Sequence, residues 1–269
     1  MRRHQLGLIL GAGLLCTRLG LTAEPIVLDE ELQILTVEQG VYVVVHSFPG
    51  PCNSLLVQCA DREIVWVDTA CTDQATQQIH QWLQRTCQDP NIIQINTGFH
   101  NDNLGGNGYL IQQGIPCYGS DLTPRLIAQC WDKTVQKVMP FYEGQKNKKY
   151  RDTLILQKLV PPNRLYSLDK GLSLHVGHET VEVFFPGPSH TLDNVVVYFE
   201  NRHILFGGCM IKAMDAKDLG FSGDADVAAW PKSARKVMER FPRARIVVPG
   251  HGHWGDPELI EHTIRLCEG

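Results

Sequence analysis

The chain has 269 residues, 43% hydrophobic and 20% charged, and its 25 basic and 29 acidic residues give a formal net charge of −4. Those proportions describe a globular protein and exclude a disordered or collagen-like chain. The slight acidic excess leaves no basic surface to neutralise phosphates, which excludes nucleic acid as an expected partner. Beyond the first two dozen residues no apolar run reaches the roughly 18 residues of a membrane span.

At the N-terminus, Arg2 and Arg3 precede an apolar stretch from Leu6 to Leu15, and Thr22 and Ala23 stand before the acidic Glu24. A basic start, a short apolar stretch and small residues before a cut predict a secretory signal peptide over 1–23 and a mature domain over 24–269. Nine cysteines occur without a single C-x-x-C pair, so neither a zinc ribbon nor a thioredoxin motif is present. Several read as small buried apolar side chains, and no disulfide is assigned.

Strand patterns fill 32–37, 41–47, 54–59 and 63–68, rich in Val, Ile and Leu and separated by Gly, Pro and Asp turns. Thr72 or Asp73 is placed to cap a helix whose Thr76, Ile79 and Leu83 share one face. A strand at 92–96 leads into a glycine-rich loop at 97–108. Helix is then expected at 109–113, a short strand at 117–119 and a helix over 123–138. The polar, lysine-rich stretch 143–151 reads as a midpoint connection. Strands return at 172–176, 180–185, 195–199 and 203–206. Val227, Trp230, Ala234, Val237, Met238 and Phe241 then recur at helical spacing, before a strand at 245–248 and a closing helix from about Pro257. Two similar halves of this kind predict an α/β fold with two sheets face to face and helices outside.

Four segments put chemistry where a predicted strand gives way to a loop: 96–106 with His100 and Asp102, 187–191 with His190, 207–212 with Cys209 and Lys212, and 249–253 with His251. Loops at strand ends are where a sheet scaffold exposes functional side chains. Imidazole, carboxylate and thiolate together suit Zn²⁺ and are a poor match to Mg²⁺ or Ca²⁺. Asp102, Cys209 and His251 as three ligands would leave the fourth position open, the arrangement of a catalytic rather than a structural site. His253 is expected to point away, and His46, His80, His175, His178, His203 and His262 read as structural or surface residues.

Together the segments resemble the class B metallo-β-lactamases of the metallo-β-lactamase superfamily, from about Glu31 to the C-terminus. The resemblance lies in His100-x-Asp102 with Leu104-Gly105-Gly106-Asn107, in Pro188-Ser189-His190-Thr191, in Gly207-Gly208-Cys209-Met210-Ile211-Lys212, and in residues 223–234. It implies the αββα four-layer sandwich. It also implies a zinc site at Asp102, Cys209 and His251, His100 and His190 as two members of a three-histidine site, and Lys212 as partner of the β-lactam carboxylate. His100, Asp102 and His190 would act on the attacking water, and Asp68, Thr69 and Thr191 would support the ligands. A small-molecule β-lactam as substrate, a monomer and a periplasmic address follow from the same likeness.

Two residues depart from the family pattern. Gly98 stands where di-zinc members carry a histidine and mono-zinc carbapenemases an asparagine, so the three-histidine site keeps two imidazoles. One tight zinc with a second site weak or empty is the expected state. Phe221 takes the place of an asparagine that helps hold substrate, and with Gly98 it favours a hydrolase of another substrate, while the short 47–53 segment lacks a long apolar flap and is nearer the mono-zinc group. Two alternatives therefore stand beside β-lactam hydrolysis: a zinc hydrolase of the same fold acting on an ester or thioester, and a zinc-binding protein without catalysis.

Overall fold

The computed structural model describes residues 24–48 and 50–269, and the predicted signal peptide lies outside the described residues. The first sheet runs β1 (Ile26–Asp29), β2 (Leu32–Glu38), β3 (Val41–Ser47), β4 (Pro51–Gln58), β5 (Glu63–Val67), β6 (Asn91–Ile95), β7 (Cys117–Ser120) and β8 (Arg164–Tyr166), hydrogen-bonded in that order. Pairing is antiparallel through β5 and parallel from β5 to β8. The second sheet has the order β13-β12-β11-β10-β9, built from β9 (Leu172–Val176), β10 (Glu179–Phe184), β11 (Val196–Phe199), β12 (Ile204–Gly208) and β13 (Ile246–Pro249). Only β12 and β13 are parallel.

The two-residue side-chain period of a strand divides these sequences between layers. In β5, Val65 and Val67 face inward to meet the second sheet, while Ile64 and Trp66 face outward. In β11, Val197 and Phe199 face inward, while Val196 and Tyr198 turn to the outer helices. The central layer therefore holds Val41, Val43, Leu55 and Val57 of the first sheet against Val181, Val183, Phe206 and Val248 of the second. Outside the first sheet, α1 (Asp73–Thr86) lays Ile79, Trp82 and Leu83 over Trp66 and Leu56. Outside the second, α6 (Trp230–Arg240) and α7 (Glu258–Glu268) bury Trp230, Val237, Leu259 and Ile260. Burying each such side chain contributes about 1.5–3 kcal/mol. The layer order is helix, sheet, sheet, helix, as the duplicated pattern predicts.

Local signals hold at α1, where Thr72 caps the helix by accepting from the Ala75 amide at 3.2 Å. They fail at three places. The 143–151 stretch is not a plain connection, because α5 (Lys148–Leu156) runs through it with Leu154 as its buried residue. The predicted glycine-rich loop contains the one-turn α2 (Asn101–Leu104) and the start of α3 (Asn107–Gln112). Helix α6 begins only at Trp230, with Pro231 in its first turn, and Val227 stands outside it at 41% exposure. The halves are also unequal, since β1 and β8 extend the first sheet to eight strands.

Beside the sheets, α4 (Thr123–Val138) and α5 pack Trp131 and Leu154 against Leu104 and Leu159. That small core forms one wall of the cleft described next.

Candidate metal centre and cleft

All four predicted segments emerge from strand ends at one rim of the sandwich. His100 and Asp102 follow β6, His190 follows β10, Cys209 follows β12 directly, and His251 follows β13. The ends of the parallel strands β12 and β13 meet closely because Gly250 has no Cβ, which would stand 2.6 Å from the Cys209 amide nitrogen. That approach brings residues 42 apart in sequence into one group.

Asp102 Oδ2 lies 3.2 Å from Cys209 Sγ and 3.1 Å from His251 Nε2, and the sulfur lies 3.6 Å from His251 Nε2. Tetrahedral ligand atoms bonded to zinc at about 2.0–2.3 Å stand about 3.3–3.8 Å apart, so the three donors already describe the face of such a polyhedron. The Pro51 carbonyl accepts from His251 Nδ1 at 2.8 Å, which leaves the Nε2 lone pair aimed at the other two donors. Burial and the charge of Asp102 push the Cys209 thiol well up, so without a cation it keeps its proton. Burial works against ionised Asp102 too, but without a cation the Nε2–H of a protonated His251 and the charge of the surrounding imidazoles hold its carboxyl below the usual range. A divalent cation resolves the conflict between two buried anions, as it displaces the thiol proton. The donor set fits the metal that the sequence predicts.

A second pair of imidazoles faces the same cleft, with His100 Nδ1 3.2 Å from His190 Nε2. His100 Nε2 lies 3.1 Å from Asp224 Oδ2, and because a carboxylate only accepts, the His100 proton sits on Nε2. Burial, with Lys212 and His100 adding their charge, pushes His190 well below the ordinary imidazole range. Gly98 contributes no donor. Its missing Cβ would meet Asn194 Nδ2 at 2.9 Å, Asn103 Oδ1 at 3.1 Å and Thr191 Oγ1 at 3.3 Å. This pair offers one donor fewer than the Asp102, Cys209 and His251 group.

Lys212 is 8% exposed, with Nζ 5.1 Å from the Trp230 ring centre, and burial lowers its pKa. It has no carboxylate within ion-pair distance among the described residues, which leaves its charge facing the cleft. Phe221 lies 5.8 Å from the His100 ring and 6.3 Å from that of His190, forming an apolar wall. With Trp131, Tyr142 and Leu154 opposite, the cleft encloses about 370 Å³. The His253 ring lies tilted beside that of Trp254, centroids 5.6 Å apart, and stays out of the donor group, as expected.

The supporting residues act one step further away than the sequence suggests. Asp68 accepts from the Thr97 amide at 2.7 Å, from Thr97 Oγ1 at 2.7 Å and from Asn103 Nδ2 at 2.9 Å, and burial raises its pKa to about 8. Thr69 accepts from the Gly106 amide at 2.9 Å, and Thr191 donates to Asp193 at 2.7 Å. None of these bonds reaches a donor atom of the site; they brace the loops that carry His100, Asp102 and His190. Asp224, Asn53 and the Pro51 carbonyl do more than sequence reasoning assigned to them. Asn53 donates to the Pro249 and Gly252 carbonyls at 2.9 and 2.7 Å and so fixes the His251 loop. Nothing local marks these residues, because each acts on a partner more than a hundred positions away.

The model of the metallo-beta-lactamase superfamily matches residues 47–251, and the chain belongs to that family. The metallo-beta-lactamase type 2 of Bacteroides fragilis is 34% identical over 216 residues, 80% of this chain and 75% of that protein. The type 2 enzyme of Elizabethkingia meningoseptica is 28% identical over 228 residues, covering 84% and 80% of the two chains. Among solved structures, the metallo-beta-lactamase from Pontibacter korlensis superposes with a TM-score of 0.74 at 30% identity, over 88% of this chain and 99% of that one. FIM-1 from Pseudomonas aeruginosa, in its mono-zinc form, gives 0.70 at 31% identity, over 89% and 96%.

Proposed function

We infer that this protein is a β-lactamase that hydrolyses the amide of the four-membered ring and confers resistance to penicillins, cephalosporins or carbapenems. One tightly held zinc would sit at Asp102, Cys209 and His251, with the His100 and His190 pair weakly occupied. The convergence of three donors within 3.1–3.6 Å at the floor of a cleft carries the reading.

When bound, the ion supplies Lewis acidity and a positive charge for the departing ring nitrogen. The rest is the work of side chains. With its Nε2–H given to Asp224, His100 turns Nδ1 towards His190 and the cleft, and a water that displaces the His190 contact there gives up its proton to Nδ1. A positioned base of this kind contributes about 10²–10⁴-fold. His190, kept neutral by burial, orients the same water, and the free Asp102 carboxylate oxygen offers a second acceptor. Lys212 pairs with the substrate carboxylate, its ammonium already stripped of most water. Phe221, Trp131 and Leu154 cover the apolar face of the ring and exclude solvent.

The mature chain would span residues 24–269, begin at Glu24 after export and act as a monomer in the periplasm. Phe221 favours one second reading, a thioester or ester hydrolase, because a phenyl ring cannot donate a hydrogen bond to the ring carbonyl. The experiment is turnover by the zinc-loaded protein of a carbapenem, followed by its ring absorbance, beside turnover of a thioester. Loss of carbapenem absorbance that a chelator stops and zinc restores supports the first reading. Thioester cleavage alone supports the second, and neither reaction in a zinc-loaded, folded protein overturns both.

A further inference from the structure

Cys52 and Cys71 take no part in the donor group, yet their sulfurs stand 3.2 Å apart, in the wall of the same cleft. They are the one pair of cysteine sulfurs in contact among the described residues. His46 lies beside them, and the three side chains could in principle form a metal site. The hydrogen bonding argues otherwise. The Cys71 amide donates to His46 Nδ1 at 3.1 Å, so the imidazole proton sits on Nε2 and neither nitrogen has a free lone pair. What remains is two thiols facing each other.

The two sulfurs come from different walls of the metal centre. Cys52 lies in β4 between Pro51, whose carbonyl holds His251, and Asn53, which ties down the His251 loop. Cys71 lies between β5 and α1, and its carbonyl lies against the turn that carries Asp102, where a Cβ on Gly105 would stand 2.3 Å from that oxygen. Gln157 Nε2 donates to the same carbonyl at 2.7 Å.

We propose that Cys52 and Cys71 form a reversible disulfide that fastens the segment behind His251 to the segment behind Asp102. The oxidant is a small-molecule disulfide of the oxidised glutathione type, entering through the cleft. One cysteine thiolate attacks it, forming a mixed disulfide and releasing one thiol. The other thiolate then attacks the protein-bound sulfur, forming the Cys52–Cys71 bond and releasing the second thiol. The two protein protons end on the two released thiols, and the two electrons reduce the oxidant's sulfur–sulfur bond. The sulfurs need to close by only about 1 Å to reach the bond length of about 2.05 Å.

The test takes the metal-loaded protein through a series of glutathione redox buffers, followed by acid quench, alkylation and mass spectrometry. Trypsin cuts at Arg62, between the two cysteines, so a linked pair of peptides in the unreduced digest reports the bond. Cys59 shares a peptide with Cys52, so Cys59→Ser should keep the link while Cys52→Ser and Cys71→Ser should each abolish it. The oxidised form should melt about 5–10 °C above the reduced form, and dithiothreitol should reverse the shift. Both thiols alkylating at every potential, in protein whose half-buried Cys87 does take up glutathione, overturns the proposal. So does a loss of one bound zinc per chain in Cys52→Ser or Cys71→Ser, which would make the pair a metal site. The readout is mass, so the outcome is separate from whether the protein cleaves a β-lactam.

Discussion

Asp224 and His100 are 124 residues apart in sequence, and the carboxylate of the first fixes which nitrogen of the second faces the cleft. Thr134 Oγ1 and Lys137 Nζ, both from α4, donate to the same carboxylate at 2.5 and 2.6 Å. The apolar wall helix therefore also positions the His100 imidazole.

Burial alone would raise the Asp224 carboxyl, but the bonds from His100, Lys137 and Thr134 hold it below its ordinary value of 3.8. A depressed native pKa contributes stability above the unfolded value, and that contribution is lost as pH falls through the native one. Asp224→Asn should cost about 2 kcal/mol near pH 7. The gap between the two proteins should narrow steadily below about pH 4. Urea unfolding at a series of pH values measures it, and a gap independent of pH would refute the account.

Gly98 is a position where adding chemistry is sterically feasible. The atoms nearest its missing Cβ are the ends of the Asn194, Asn103 and Thr191 side chains rather than backbone, so a side chain there is accommodated by shifting the Asn194 amide at 2.9 Å. Gly98→His should complete a three-imidazole set with His100 and His190 and tighten binding of a second zinc at least about tenfold. Competition with a chromophoric chelator reads that affinity directly. Unchanged second-zinc binding in a folded variant would mean that the two imidazoles are not a metal half-site.

Replacing Lys212 by methionine keeps a long stem against Trp230 and removes only the charge. If Lys212 grips the substrate carboxylate, KM for a β-lactam should rise about 10–100-fold while kcat changes far less. Arginine should rescue poorly, because its wide planar head does not fit a pocket shaped around a buried ammonium. Steady-state kinetics on the three proteins decide the matter, and a fall in kcat at constant KM would assign Lys212 to chemistry instead.

Gly106 and Thr76 make a strict steric pair, since a Cβ at 106 would stand 1.9 Å from Thr76 Oγ1 and 2.5 Å from its Cβ. Gly106→Ala should destabilise the fold by about 3 kcal/mol. The Thr76 hydroxyl is buried without a hydrogen-bond partner among the described residues, so Thr76→Ala alone should be close to neutral. Because alanine keeps the Thr76 Cβ, Gly106→Ala should be relieved only in part by Thr76→Ala and further by Thr76→Gly in a thermal melt; additive losses in both pairs would show that the collision is with something other than Thr76.

Layering and site were legible to different depths. The outward and inward alternation of β5 and β11 is written in adjacent residues, and Thr72 announces α1 by one side chain. The three donors were readable because thiolate, carboxylate and imidazole beside glycines at strand ends are chemically unusual, whereas their meeting depends on sheet closure. Helix α5 hid because it rests on the surface with one buried residue, so its sequence has little apolar rhythm to display. Asp224 hid for the opposite reason: an aspartate in a turn is common, and its partners arrive from α4 and from the loop after β6. The Cys52 and Cys71 pair needed the fold, since a 19-residue spacing has no motif behind it.

The short passage from β3 to β4 has a practical consequence. Because the Pro51 carbonyl already grips His251 there, the start of β4 is anchored to the floor of the cleft. A blocking compound meets a fixed edge at Pro51 and His251. Tight inhibition should instead come from an anionic group reaching Lys212 and a flat hydrocarbon surface laid along Trp131 and Phe221.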